Sequence, residues 1–308
     1  MFRTRRVAAT LLATLPALLL VGAKPPPAPT SFTPALSYRY GYSELRLANA
    51  DGSQAALLVR LPPPSGQAGS ILQHAIAPLG QRRVAFVDAS VFGAKSLRIV
   101  SWAQPTPGGP LSVSLDPTPF FTIAGAEITS LDFSPDGSRL AAVSWINGQN
   151  QELRFFDVAT RSQIGDAIPL AQDGSVLRWR AFDDSLLMRG ATGFSVFKDG
   201  VQTALFDTGN GGWFDTFNAA AADVAVQSLI GGENYLQRWD GASLSNGAPV
   251  LATIAPGHHP SVSCDNARII FQRGRSDKTI VRTVANGGEL TFSTDRTISF
   301  PSYPNGCG

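Results

Sequence analysis

The groups in this 308-residue chain that could do chemistry are few: two cysteines, three histidines, and a set of aspartates that fall beside turn-forming residues. Cys264 and Cys307 form an even pair with no Cys-x-x-Cys spacing, which favours a disulfide over a redox or metal pair, with two free thiols as the alternative. The histidines are His74 and the adjacent His258 and His259. Zinc needs three or four convergent ligands, and successive strand residues point to opposite faces. His258 and His259 are therefore not expected to share a metal. The aspartates are Asp136, Asp183, Asp184, Asp223 and Asp265; no spacing among them singles out the paired carboxylates of a glycosidase. A Gly-x-Ser-x-Gly nucleophile elbow is also missing. The five tryptophans, at 102, 145, 179, 213 and 239, are spread along the chain.

The elements that must position these groups are short. Apolar runs rich in Val, Ile, Leu and Phe end in Gly, Pro, Asp and Asn, the signature of strands. The clearest unit is Leu131 to Val143, in which Ser134-Pro135-Asp136-Gly137 joins two such runs. It returns at about 40 to 50 residues, the period of four-stranded propeller blades. The third blade reads as strands 128–134, 139–145, 152–160 and 163–170. Blade two spans 71–117, blade four 176–207, blade five 213–255 and blade six 259–293. The ends complement one another. Residues 36–61 supply three strands without an inner one, and 298–306 supply an inner strand with nothing after it. Together they complete one blade, and closing a ring in this way removes the open sheet edges that invite aggregation. The expected fold is all-β: a six-bladed propeller of four-stranded antiparallel blades, closed by strands from both termini.

The chain start reads differently. Arg3, Arg5 and Arg6 precede an apolar stretch ending in Val21-Gly22-Ala23. This is the pattern of a secretory signal peptide over residues 1–23, and the stretch is short for a membrane span. Residues 24–35 hold five prolines and read as a stiff spacer before the propeller at 36–308. The signal accounts for three of the 25 basic residues, leaving 22 against 23 acidic ones, a net charge of −1. A basic surface for nucleic acid is thereby excluded.

The repeat resembles that of TolB-type propellers, which are related to WD-repeat propellers. Phe133 to Gly137 matches the inner strand and its Ser-Pro-Asp-Gly turn. Glu44 to Gly52 is similar to the third strand with its Asn-Ala-Asp-Gly turn, and blade six carries Cys-Asp-Asn in place of Pro-Asp-Gly. Blades two, four and five are degenerate. TolB itself has an α/β domain before its propeller, for which the proline spacer is no counterpart.

In a ring of blades the inner-strand turns surround one mouth of a central channel. Asp136, Asp183, Asp184, Asp223 and Asp265 could gather there to bind a cation or a basic partner. The favoured reading is turn chemistry, because an Asp side chain caps nearby backbone N–H groups. Trp179, Trp213 and His259 could face the channel, where the two indoles would stack on a sugar or peptide; blade packing is the alternative. Arg178, Arg180, Asp183 and Asp184 read as a solvated blade end. Aligning Pro260-Ser261 with Pro301-Ser302 sets Cys264 and Cys307 at turns of neighbouring blades. A bond there closes a loop of about 40 residues, worth on the order of 3 to 4 kcal/mol in the chain-entropy model. The function expected is that of a monomeric, exported, non-enzymatic binding or scaffold module, periplasmic or secreted, without a cofactor. Its partner would be a protein or small molecule at a channel mouth. The competing expectation is a hydrolase or lyase acting on a sugar or peptide in the channel.

Overall fold

Middle strands of this chain carry apolar side chains at consecutive positions, as in Val84-Ala85-Phe86-Val87 and Ile269-Ile270-Phe271. Such a run fits a strand buried on both faces, and a propeller blade stacked between two others provides that setting. A computed structural model describes residues 32–308. It leaves out 52, 63–69, 92, 147–149, 172–175, 182, 191–192, 207–212, 218–223, 231–232, 241–249, 274–277, 294–297 and 305–308.

The described strands form six antiparallel sheets. The first joins β1 (Pro34–Tyr40), β2 (Glu44–Asn49) and β3 (Ala55–Arg60). The second holds β4 (Ile71–Ile76), β5 (Arg83–Asp88), β6 (Ala94–Ala103), β7 (Ser112–Leu115) and β8 (Phe121–Ala124). The third runs through β9 (Ala126–Phe133), β10 (Arg139–Ile146), β11 (Asn150–Asp157) and β12 (Ser162–Pro169). The fourth has β13 (Val176–Arg180), β14 (Ser185–Gly190), β15 (Gly193–Lys198) and β16 (Val201–Phe206). β17 (Phe214–Thr216), β18 (Val224–Ile230), β19 (Glu233–Trp239) and β20 (Val250–Pro256) make the fifth. The sixth holds β21 (His258–Val262), β22 (Arg268–Arg273), β23 (Lys278–Thr283) and β24 (Glu289–Ser293). The last strand, β25 (Ile298–Ser302), pairs with β1, with Ser37 opposite Ser302 and Tyr40 opposite Ile298. The first sheet thus runs β25-β1-β2-β3, and the ring is closed by both ends of the chain, as expected.

Six apolar clusters hold the ring, one at each blade–blade interface. Alternation along single strands explains this. On β5, Val84 and Phe86 face the first blade while Ala85 and Val87 face the third. On β22, Ile269 and Phe271 face the fifth blade and Ile270 faces the first. The interface across the closure is built by Leu36, Tyr38, Ile270 and Tyr303. Outer strands β7, β12 and β20 are largely exposed.

Two boundaries differ from the sequence reading. Phe32 is buried between the first two blades, and the Thr33 amide donates to Asn49 Oδ1 at 2.6 Å, so the fold begins before Leu36. Blade two does not end at Pro117. Its outer edge is divided: β7 pairs with Val100 to Ala103 and β8 with Ala94 to Leu97 of the long strand β6. Asp116-Pro117-Thr118-Pro119 separates them, because proline cannot donate to the ladder.

Candidate functional site

The inner strands β4, β9, β13, β17, β21 and β25 set the chemistry of the axis. On β9 apolar Leu131 and Phe133 alternate with polar Ser130 and Asp132, so the polar residues share one face. These polar groups stitch neighbouring blades together at several interfaces. Ser130 Oγ accepts from the Leu177 amide at 3.0 Å, and Asp132 Oδ2 from the Trp179 amide at 2.7 Å. Two blade interfaces further on, Asp215 Oδ2 accepts from the Val262 amide at 2.8 Å, and at the interface after that Ser261 Oγ accepts from the Tyr303 amide at 2.9 Å. Between the two carboxylates lies Arg178, whose Nε donates to Asp215 Oδ1 at 3.1 Å. Arg178 was expected at a solvated blade end; it lines the axis instead. Burial pushes the Asp132 carboxyl up to about 7, against the pull of Arg178 and the Trp179 amide.

Beside this layer is a small space lined by Gln73, His74, Arg178, Trp213, His259 and Pro301, among others. It measures about 20 Å³ among the described residues, on the scale of a single water. Arg39 enters from β1 and donates through Nη1 to the carbonyls of Ile71 and Leu72, at 2.9 and 2.7 Å. Burial, then the charge of Arg39, lowers His74 to about 3; burial, His258 and Arg39 lower His259 to about 3.

The adjacent histidines do not point apart, as a regular strand would make them. A register shift interrupts β21 between His258 and Ser261, and His259 takes a φ of +52°. The irregularity turns the two rings together, with Nδ1 atoms 2.5 Å apart, and sets His259 4.6 Å from the Trp213 ring. Among the described residues no group of three His, Cys, Asp or Glu is placed to hold a metal ion.

The turn aspartates do local work. Asp136 accepts from Ser134 Oγ at 2.6 Å and from the Ser138 amide at 3.0 Å, and the Ser134 bond is the largest influence holding its carboxyl below the usual range. Asp265 repeats the arrangement with Ser263 Oγ at 2.5 Å and the Ala267 amide at 2.9 Å. Asp183 accepts from Ser185 Oγ at 2.7 Å and from Arg180 at 2.9 Å. Asp184 has a φ of +55° and ties two blades together, accepting from both Arg139 Nη2 and the Trp179 indole. Trp179 is 1% exposed within the core between blades three and four, so it cannot offer a stacking face to a partner. Arg139 covers its ring at 4.7 Å. Asp223 and Cys307 lie outside the described residues. Cys264 lies in the β21–β22 turn, and among the described residues no cysteine is free.

Sequence reading missed Arg39, Asp132 and Asp215. The signal for the two acids was available: Asp132 stands between Leu131 and Phe133, and Asp215 follows Phe214, each a charge within an inner strand, where only a paired charge is tolerated.

No protein-family model matches the chain, and no curated protein matches it. Similar solved structures include TolB from Acinetobacter baumannii, with a TM-score of 0.63 and 18% identity over 89% of this chain and 67% of that one. Another, in a nidogen/laminin complex, has a TM-score of 0.61 and 10% identity over 89% of this chain and 99% of that one. At these identities the likeness is one of fold, and it agrees with the TolB-type repeat read from the sequence.

Proposed function

We propose that this propeller is an exported, monomeric, non-enzymatic binding module that takes a protein or small-molecule partner at a channel mouth. The observation that carries the reading is how the acids are used. Asp132 and Asp215 are committed to amides of neighbouring blades, and Asp136, Asp183, Asp184 and Asp265 to turns and blade contacts. A rigid ring in which these described axial and turn carboxylates are structural is suited to presenting loops and rim residues rather than to proton transfer. The similar structure solved in a nidogen/laminin complex gives a precedent for such a fold in protein recognition.

Export rests on the basic and apolar pattern of residues 1–23, with 24–35 as spacer, and makes the periplasm or the cell exterior the proposed compartment. Among the described residues no helix is long and apolar enough to cross a membrane. An oxidising compartment also suits the proposed Cys264–Cys307 bond. Intact mass after alkylation without reductant should show no added label; two labels per chain would refute the bond.

The binding role is tested by cross-linked capture from the native envelope. The wild-type protein should retain a specific partner that a Trp213→Ala, His259→Ala variant of unchanged melting temperature loses. Identical captures would remove Trp213 and His259 from the interface.

A further inference from the structure

A second cavity lies well away from the axis, on the flank where blades two and three meet. It is about 360 Å³, within the range of small-molecule sites. It exists because the outer edge of blade two is divided. Between β7 and β8 the chain turns away at Asp116 to Phe120, and the core between the two blades opens to solvent there. Ile99 and Val158, both members of that core, form the floor, and Phe120 and Leu115 form one wall.

The wall is fixed in place. Arg161, at a φ of +60°, reaches from blade three to pair with Asp116, donates to the Thr118 carbonyl at 2.6 Å, and lies 4.8 Å over the Phe120 ring. Arg98 donates to the Pro117 carbonyl at 2.8 Å. Arg161 and Asp116 therefore neutralise one another. Arg83 remains: half-buried, lining the cavity, and without an ion pair or side-chain hydrogen bond among the described residues. In the sheet register Arg83 stands opposite Ser101, and Ser101 opposite Ser114. A guanidinium and two hydroxyls thus form one row across three strands, all three lining the cavity beside an apolar floor.

We infer that this crevice binds a small amphipathic carboxylate, with its apolar body on Ile99, Val158 and Phe120 and its carboxylate on Arg83. The planar fork of a guanidinium matches a carboxylate in two parallel hydrogen bonds, and the serine hydroxyls can donate to the same oxygens. The pre-formed wall avoids the ordering cost that a flexible loop would carry. The ligand is either a free acid or the C-terminal carboxylate of a peptide.

The test is calorimetric titration of the full protein with N-acetylphenylalanine, with its amide, and with a five-residue peptide ending in phenylalanine as free acid or amide. Both acids should bind, and each amide should bind about tenfold more weakly or not at all. The stronger of the two acids identifies the source. Arg83→Gln should weaken acid binding about tenfold, Arg83→Lys should recover part of it, and Ser114→Trp, on an exposed strand, should block the crevice without lowering the melting temperature. Equal binding of acid and amide, unchanged binding by Arg83→Gln, or no saturable binding of any probe at tens of millimolar would overturn the inference.

Discussion

Asp132 and His74 sit near the same axis and carry opposite pH signatures. Burial raises Asp132 from 3.8 to about 7. Between about pH 4 and 7 the folded protein holds a proton that the unfolded chain has released, so this group costs stability as pH rises through that window. The slope for one proton is about 1.4 kcal/mol per pH unit. Asp132→Asn keeps an acceptor for the Trp179 amide and removes the proton. Its stability relative to wild type should therefore rise from pH 4 to 7 in denaturant titrations. His74 is lowered to about 3, so the unfolded chain takes up a proton below pH 6.5 that the folded protein refuses. His74→Gln should gain on wild type as pH falls from 6.5 toward 3. A flat difference for either variant would mean that its group titrates alike in both states. These roles were only half legible. A turn acid announces itself by its neighbours Ser, Pro and Gly. Asp132 and Asp215 look like breaks in strands until the next blade's amide is placed against them.

At the scale of the element, the Ser-Pro-Asp-Gly turn is a hydrogen-bonded unit that the sequence displays whole. Ser134 Oγ donates to Asp136, accepts from the Arg139 amide at 2.9 Å, and Gly137 supplies the φ of +67° that closes the turn. Ser263 does the same in blade six, with the Arg268 amide at 2.9 Å. Ser134→Ala should cost about 1 kcal/mol in denaturant unfolding, the net worth of a buried hydrogen bond, and Ser263→Ala a similar amount. No loss in either would mean that the serines are ornaments of the repeat. Two elements were not legible. The irregularity at His258–His259 depends on a positive φ at a residue that seldom adopts one. The fifth strand of blade two requires β6 to run ten residues, long enough to pair with two short partners. Local pattern shows neither.

The whole molecule was the most legible scale, because the repeat period and the unmatched ends together determine a closed ring. The latch was less so. Sequence reasoning placed it at Cys264 and Cys307. The described contacts place a latch at Tyr303, whose amide donates to Ser261 Oγ at 2.9 Å and whose hydroxyl donates to the Ala50 carbonyl at 2.5 Å; Cys307 lies outside the described residues. Burial raises the Tyr303 phenol above its ordinary range, so it remains a donor throughout the physiological span. Through these bonds the end of the chain holds blade six and blade one at once. It also supplies Pro301 and Ser302 to the axial space, so closure and the channel share residues. Six interfaces of similar construction make the ring one cooperative unit only while it is closed. The direct measurement is thermal unfolding of a chain ending at Asp295 beside the full-length protein. Loss of the single cooperative transition, with a fall of many degrees in melting temperature, is the predicted result; superimposable melting curves would contradict the closed ring.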